Sequence, residues 1–425
     1  TLQGDESRTI WELHGGIEIF KFFDQMKTNW MNMCEETLQY PGLIEALKRE
    51  KFDAAYAESM DICSVGLFHL IGIKKFVFTE SLAIVDGHFA VSQTPNFPSY
   101  IPSKMHGGNG DAMNIWQRME NVFGAFAWQT VVDRDVARSQ LMYEKNWPGF
   151  PRIRDLLASA SLVFYNSEPL VDYPKITSAR IVDIGGISVA SGHKPINKTW
   201  SSILNLRPKT ILIAFGTVAQ SYLMPDAYKK SIRETARRFP DVTFVWKYEV
   251  PEHNISKGIS NIVESAWIPQ HDILHDKRLT AFITHGGQGS TTEAYTAGIP
   301  LIVIPVYADQ MRNAKQIGKN GVGIPIMKED LATPGPLAKA VREILNNNSY
   351  RIRASEVKHM IKDRPFSMKE IFIRNMEFVA KHGPLRQLDH QGRNLTFVQY
   401  YLIDMIIIVV ITLFLAVSFV VLLTH

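Results

Sequence analysis

The glycine-rich stretch at 285–289 places hydrogen-bond donors where an anion would bind. It reads His-Gly-Gly-Gln-Gly and follows a short apolar run, 281–284, that is typical of a buried β-strand. A helix is expected to begin near Ser290, with Glu293 three residues on in the position of a capping box. Glycines let a ligand approach the backbone, and a helix N-terminus offers unpaired N–H groups and partial positive charge. The stretch therefore predicts a diphosphate site.

Two more polar groups follow the next predicted strand. The run 301–304 ends at Pro305, so Asp309 and Gln310 lie just beyond its carboxyl end. Open α/β sheets bind ligands along that edge, where an acid beside an amide can accept hydrogen bonds from sugar hydroxyls and donate to them. The glycine turn alone is a weak signal, because neither the G-x-G-x-x-G pattern nor the P-loop pattern is present.

Alternating strands and helices are predicted to position these residues. Residues 10–50 have mainly helical spacing, beginning with Trp11. Glu58 follows the first predicted strand, and Gly216 begins the turn after a strand in the second half. Such alternation predicts α/β architecture with parallel sheets covered on both faces. Strands are predicted at 52–57, 75–79, 162–165, 180–186, 209–215 and 242–246, and helices at 61–72, 113–146, 151–160, 225–239 and 337–346.

Three spaced motifs together resemble the signature of the UDP-glycosyltransferases. They are Trp267-Ile-Pro-Gln270, then His285-x-Gly287 with Glu293 eight residues after the histidine, then Pro305-x-x-x-Asp309-Gln310. Within that family the chain most resembles the membrane-bound UDP-glucuronosyltransferases of animals. The resemblance implies a GT-B fold, with two Rossmann-like domains facing across a cleft and a C-terminal transmembrane helix. The C-terminal domain would hold a UDP-sugar, and the N-terminal domain a small lipophilic acceptor.

The resemblance also implies roles for individual residues. Trp267 would stack on uracil, Thr217 would donate to phosphate, His285 and the 286–291 backbone would cradle the diphosphate, and Glu293 would bond the ribose. No metal or other cofactor is expected, and the long loop at 86–112 is assigned to the acceptor side. The full donor-binding set is Gly216, Thr217, Trp267, Gln270, His285, Gly286, Gly287, Gly289, Ser290, Thr291, Glu293, Asp309 and Gln310.

The catalytic base of the family has no match in this chain. The family reaction is inverting: a histidine early in the N-terminal domain deprotonates the acceptor hydroxyl, and an acidic residue at the position of Glu58 orients that histidine. His14 lies in a segment with helical spacing, while His69 and His88 follow Glu58 rather than precede it. We therefore expect an N-terminally truncated chain that binds a UDP-sugar better than it turns it over.

Composition is that of a globular protein. The chain has 425 residues, 46% of them hydrophobic and 21% charged, which predicts two or three domains. A net charge of +4 without a basic run gives no reason to expect a nucleic-acid partner. Cys34 and Cys63 cannot form a zinc site or a disulfide framework alone, and Cys63 is expected to be a small core residue. Sequons that mildly favour a secretory lumen occur at Asn197, Asn254, Asn347 and Asn394.

The two ends of the chain bear on its location. The polar N-terminus, 1–9, has no signal-peptide pattern, so either a signal peptide has been removed or, as we expect, the chain is a fragment. Residues 405–424 carry no charge and as a helix would span about 30 Å, one bilayer core. They predict a single-pass anchor in the lipid bilayer. The resemblance implies the endoplasmic reticulum membrane, with the catalytic body in the lumen.

Several alternatives remain open. The leading hypothesis is a UDP-glucuronosyl- or UDP-glucosyltransferase that conjugates small lipophilic molecules. The second is a catalytically impaired, membrane-anchored UDP-sugar-binding subunit. A UDP-sugar epimerase is disfavoured by the anchor and the motifs. UDP-glucuronate and UDP-glucose both fit as donors, and homo- and hetero-oligomers are both compatible. Domains are predicted as an acceptor domain at 1–187 (incomplete at its start), a linker at 188–208, a donor domain at 209–365, returning helices at 366–403 and the span at 405–424.

Overall fold

The structure is a computed structural model that describes residues 10–13, 17–83, 97–103, 109–189 and 192–424. His14 and His88 lie outside the described residues, as do the N-terminal residues 1–9 and much of the predicted acceptor loop at 86–112. The predictions made for these positions stay predictions.

The first sheet is parallel, as the alternation of strands and helices predicts. Its strands are ordered β1-β2-β3-β4. One face packs on helices through buried residues that include Phe78 and Tyr143. The elements are α1 (Ile17–Leu38), α2 (Leu43–Glu50), β1 (Ala55–Glu58), α3 (Cys63–Leu70), β2 (Phe76–Glu80), α4 (Ile115–Asn146), α5 (Ile153–Leu157), β3 (Val163–Tyr165) and β4 (Ile181–Asp183).

The second sheet is also parallel, with the strand order β10-β9-β8-β5-β6-β7. The elements, in chain order, are α6 (Lys198–Leu204), β5 (Lys209–Ala214), α7 (Asp226–Arg237), β6 (Val242–Lys247), β7 (Ile262–Ser265), α8 (Gln270–Leu274), β8 (Leu279–Thr284), α9 (Gln288–Ala297), β9 (Leu301–Val303), α10 (Gln310–Lys319), β10 (Gly323–Pro325), α11 (Pro334–Asn346) and α12 (Ser349–Lys362). The short strands β7 and β10 were not predicted from the sequence.

Strand β5 shows why its sequence is continuously apolar. Successive side chains of a strand point to opposite faces. Ile211 and Ile213 therefore pack in the core beneath one face, and Leu212 and Ala214 pack beneath the other. Because both faces are covered, the strand needs no polar side, and its carboxyl end leads directly into the Gly216 turn.

The C-terminal helices leave the second domain. They are α13 (Met368–His382), α14 (Phe397–Tyr400) and α15 (Ile403–Thr424). Helix α13 covers the free face of the first sheet, with the Phe372 ring 4.8 Å from that of Phe164 and Val379 fully buried. Helix α15 has 22 residues and is long and apolar enough to cross a membrane. None of its apolar side chains is buried inside the protein.

The segment 10–13 packs against the second domain rather than the first. Its sequence predicts a helical face of the N-terminal core, but Trp11 lies in the core of the second sheet, with its ring 5.3 Å from that of Phe215. The Trp11 indole donates to the Gln220 carbonyl at 3.0 Å, and the buried Lys328 ammonium donates to the Trp11 carbonyl at 3.1 Å. Helical spacing shows that a residue is buried, but not which domain buries it.

The two cysteines form a disulfide, so the prediction of Cys63 as a simple core residue is wrong. Cys34 lies in α1 and Cys63 begins α3, 29 positions later, with their Cα atoms 6.0 Å apart. The apolar run around Cys63 explains why this residue is half-buried. Its disulfide partner, Cys34, comes from helix α1, which packs beside α3. The predicted turn-rich linker at 188–208 likewise contains helix α6, which Asn197 caps by accepting from the Trp200 N–H at 2.9 Å.

Candidate functional site

The glycine turn after β8 leads into α9 earlier than its sequence suggests. Gly286 has a φ of +81°, and a Cβ there would lie 2.5 Å from a Val303 methyl group. Helix α9 begins at Gln288 with Gly287 as its N-cap, so the capping box predicted at Ser290 and Glu293 is wrong. The tight turn at Gly286 reverses the chain soon enough for the helix to start before Ser290.

The first turn of α9 has no side chain capping it. Glycine at the N-cap contributes no acceptor, so the amides at the start of the helix remain available to an anion. Thr291 is not among these donors, because its N–H donates to the Gly287 carbonyl at 3.0 Å and its side chain is buried. The side-chain amide of Gln288, Nε2, donates to the backbone carbonyl of Asn166 in the first domain at 2.8 Å. The open helix end therefore faces the cleft between the domains.

His285 is held between two glycines. A Cβ on Gly216 would lie 2.9 Å from His285 Cε1, and one on Gly287 would lie 2.5 Å from Nε2. The other ring nitrogen, Nδ1, is 3.3 Å from the Thr284 hydroxyl. The glycines that bring the ligand close to the backbone thus also make room for the imidazole.

Lys247 adds a positive charge that the sequence reasoning missed. Its ammonium donates to the Gly216 carbonyl at 2.6 Å and lies 5.9 Å from the centre of the Trp267 ring. Burial, together with the Lys247 charge, lowers the pKa of His285 to about 4, so this imidazole is neutral near pH 7. The signal that could have identified Lys247 is its position as the last residue of β6, at the ligand-binding edge of the sheet.

Gln270 and Glu293 meet directly. The Gln270 amide donates to Glu293 Oε2 at 2.6 Å and to the Ser290 hydroxyl at 3.2 Å. Glu293 therefore binds the start of α8 instead of closing a capping box. Trp267 lies just before α8 and is 70% exposed. Thr217 is also exposed, on the turn that follows β5.

Asp309 and Gln310 are both buried at the start of α10. The Gln310 side-chain oxygen, Oε1, accepts from the N–H groups of Val306 and Tyr307 at 2.9 and 3.1 Å. The Asn313 amide donates to Asp309 Oδ2 at 2.7 Å and to the Gly286 carbonyl at 2.9 Å. Asn313 thereby ties Asp309 to the glycine turn, and Gln310 is tied to the segment that follows β9.

Glu58 lies on the opposite side of the cleft at the end of β1. Its Oε2 accepts from the Ser81 N–H at 3.0 Å. Burial and the neighbouring Glu80 raise the pKa of Glu58 from 4.5 to about 7. His69, in contrast, is an exposed residue of α3, with its ring 5.1 Å from that of Phe150.

Comparison with known proteins identifies the family. The protein-family model described as "UDP-glucoronosyl and UDP-glucosyl transferase" matches residues 6–424. The chain belongs to this family. The Caenorhabditis elegans protein ugt-48, which carries a UDP-glucuronosyltransferase name, is 30% identical over 389 residues, or 90% of this chain and 74% of the relative. Human UDP-glucuronosyltransferase 1A4 is 27% identical over 373 residues, or 88% of this chain and 68% of the relative. The predicted family and enzyme class, a hexosyltransferase, are confirmed.

Solved structures with the same architecture support the fold. The glycotransferase of kitacinnamycin has a TM-score of 0.57 at 18% identity, covering 83% of this chain and 82% of its own. CalG4, the calicheamicin glycosyltransferase, has a TM-score of 0.57 at 15% identity, covering 84% and 82%. These similarities confirm the predicted GT-B fold.

The raised pKa of Glu58 predicts a pH dependence of stability in this UDP-sugar transferase. The folded protein keeps the Glu58 proton up to about pH 7, whereas the unfolded chain releases it near 4.5, so stability falls as pH rises between these values. Glu58→Gln cannot ionise. We expect its free energy of unfolding to match that of the parent chain below about pH 4 and to exceed it near pH 8 by on the order of 2 kcal/mol.

Chemical denaturation at several pH values measures this difference. Glu252→Gln, at an exposed position, is the matched control and should follow the parent chain throughout. Parallel stability curves for the parent chain and Glu58→Gln would contradict the assignment.

Proposed function

We propose that the residues around the glycine turn, 285–289, and the start of α9 bind the UDP part of a UDP-sugar. The indole of Trp267 stacks on uracil, and Glu293 bonds the ribose hydroxyls, with Gln270 holding its carboxylate in place. The diphosphate lies at the start of α9, beside neutral His285 and within the field of Lys247. Thr217 donates to it from the β5 turn.

The sugar is held by Asp309 and Gln310 and is transferred to a hydroxyl of a small lipophilic acceptor. The side-chain oxygen of Gln310 is occupied by backbone N–H groups, so the side-chain nitrogen, Nε2, is the atom that donates to the sugar. The acceptor oxygen attacks the anomeric carbon from the face opposite UDP and gives up its proton to water, the bond from that carbon to the β-phosphate oxygen breaks, and UDP leaves with the bonding electrons. Donors at the start of α9 stabilise the charge that develops on the diphosphate.

The protein is anchored by α15 in the membrane of the endoplasmic reticulum, with its catalytic body in the lumen. The disulfide between Cys34 and Cys63 supports an oxidising compartment. The asparagines of all the sequons, Asn197, Asn254, Asn347 and Asn394, are exposed, as glycosylation would require. Helix α15 has the length and hydropathy of a span.

The exposed indole of Trp267 carries the donor-site proposal. A large aromatic side chain that is 70% exposed, beside the half-buried Gln270 and Glu293, offers a flat face to a base. We expect Trp267→Ala to bind UDP about tenfold more weakly, because stacking on a base contributes about 1–3 kcal/mol. Isothermal titration calorimetry of the full chain in detergent micelles measures this.

Trp116→Ala is the matched control, because Trp116 is 73% exposed on α4, in the other domain. It should bind UDP like the parent chain. Failure of the parent chain to bind UDP, or unchanged affinity in Trp267→Ala, would refute the proposed site. Separate titrations of the protein with UDP-glucuronate and with UDP-glucose identify the preferred donor as the one that binds more tightly. Binding of both without transfer to a phenol would favour the alternative of a catalytically impaired, membrane-anchored donor-binding subunit.

A further inference from the structure

A segment of the first domain reaches across to the helix that carries Asp309 and Gln310. After β3, residues 167–175 extend to α10, where the Asp172 carboxylate is almost fully buried. Asp172 Oδ1 accepts from Arg312 at 2.7 Å and from Gln316 at 3.0 Å. Its Oδ2 accepts from Ser167 at 2.8 Å and from Lys175 at 2.5 Å. One carboxylate thus joins both domains.

The residues beside Asp172 strengthen the same contact. The Tyr173 ring lies beneath the Arg312 guanidinium at 4.9 Å and the Lys319 ammonium at 5.2 Å. Val171 inserts its side chain into the core of the second domain, and its carbonyl accepts from Asn320 at 2.7 Å. These contacts all fall along α10 and the residue after it. The first domain therefore contacts one face of this helix through several neighbouring residues.

The glycine turn also holds helix α10, through Asn313. Asn313 joins the helix to the Gly286 carbonyl and to Asp309, as described above. A helix of ten residues moves as one body. If the side of α10 that carries Arg312 shifted, Asp309 and Gln310 would move with the helix. The glycine turn before α9 and Trp267 do not belong to the helix, so their distances from these two residues would change.

The Asp172 carboxylate stays ionised. Although burial opposes ionisation, Arg312 and Lys175 hold the pKa of the Asp172 carboxyl well below its usual range. The contact therefore persists across the pH range in which the protein would work. A buried pair of this kind contributes geometry more reliably than stability, because desolvation offsets much of its attraction.

We propose that Asp172 is a positioning residue for the sugar half of the donor. It acts through Arg312 and Gln316 to set the position of α10, and so of Asp309 and Gln310, without touching the donor. This inference rests on the proposed donor site. Its consequence is a split: disrupting the contact weakens binding of a UDP-sugar while leaving the binding of UDP alone nearly unchanged.

Calorimetric titration of the full chain with UDP, UDP-glucuronate and UDP-glucose tests the split. In Asp172→Asn we expect UDP affinity within about twofold of the parent chain and affinity for the preferred UDP-sugar about tenfold lower, since small displacements of binding groups have large effects. Because Asp172→Asn leaves the buried Arg312 without its carboxylate and can unfold, the double variant Asp172→Asn with Arg312→Met serves as a second probe. Thermal unfolding verifies that each variant is folded.

Glu168→Gln is the matched control. Glu168 belongs to the same segment and forms an ion pair with Arg364, which follows α12 and does not contact α10 through this pair. It should leave the ratio of UDP-sugar to UDP affinity unchanged. An equal loss for UDP and UDP-sugar in the folded Asp172 variants, no loss at all, or the same split in Glu168→Gln would overturn the inference alone. Absence of UDP binding by the parent chain would overturn the proposed donor site and this inference with it.

Discussion

Replacing Gly287 with alanine is expected to weaken UDP binding by about 100-fold or more, the scale on which misplaced or lost diphosphate donors act. The added Cβ would lie 2.5 Å from His285 Nε2, closer than a Cβ comes to an atom to which it is not bonded. His285 has little room to move away on its other side, because the ring lies so close to Gly216 that a Cβ there would be 2.9 Å from Cε1. Either the imidazole is expelled or the start of α9 shifts, and both changes disrupt the diphosphate site.

Titration of the folded variant with UDP checks this expectation. Gly335→Ala is the control, because Gly335 is in the first turn of α11 and a Cβ there has no neighbour within 4 Å. This variant should retain the parent affinity. A Gly287→Ala protein that binds UDP normally would show that His285 and the α9 turn do not form the diphosphate site.

Removing the disulfide by Cys34→Ala with Cys63→Ala is expected to lower the free energy of unfolding by about 3 kcal/mol, given the separation of 29 residues between the cysteines. The bond closes a loop that contains the end of α1, all of α2 and the strand β1 that carries Glu58. Without it, the unfolded chain gains conformational entropy. Denaturant titration under oxidising conditions measures the difference.

Reduction provides an internal control for the disulfide. The parent chain treated with a reductant should lose stability by a similar amount, while the double alanine variant should not respond to the reductant. Equal stability of the parent chain and the variant under oxidising conditions would contradict the disulfide. It would also remove one support for the oxidising compartment proposed for the protein.

The positions of the residues proposed to bind the donor were largely predictable because the motif residues are close in sequence. The strand before His285, the glycine turn and the helix after it follow from local composition, and Asp309 follows β9 as predicted. The start of α9 was misplaced because the φ of +81° at Gly286 is a property of the folded turn. Lys247 was overlooked because strand-end position alone does not distinguish a ligand-facing lysine from a solvated one.

The sequence by itself determined the parallel architecture and the identity of the motif, since strand burial and turn formation depend on neighbouring residues. Only the tertiary structure decided which distant side chains meet. Asp172 and Arg312 are 140 positions apart, and Trp11 and Gln220 are 209 apart. Periodicity marks such residues as buried, but their partners depend on how the two domains pack. Domain packing therefore assigns Trp11 to the second domain and places Asp172 behind the helix that begins at Gln310.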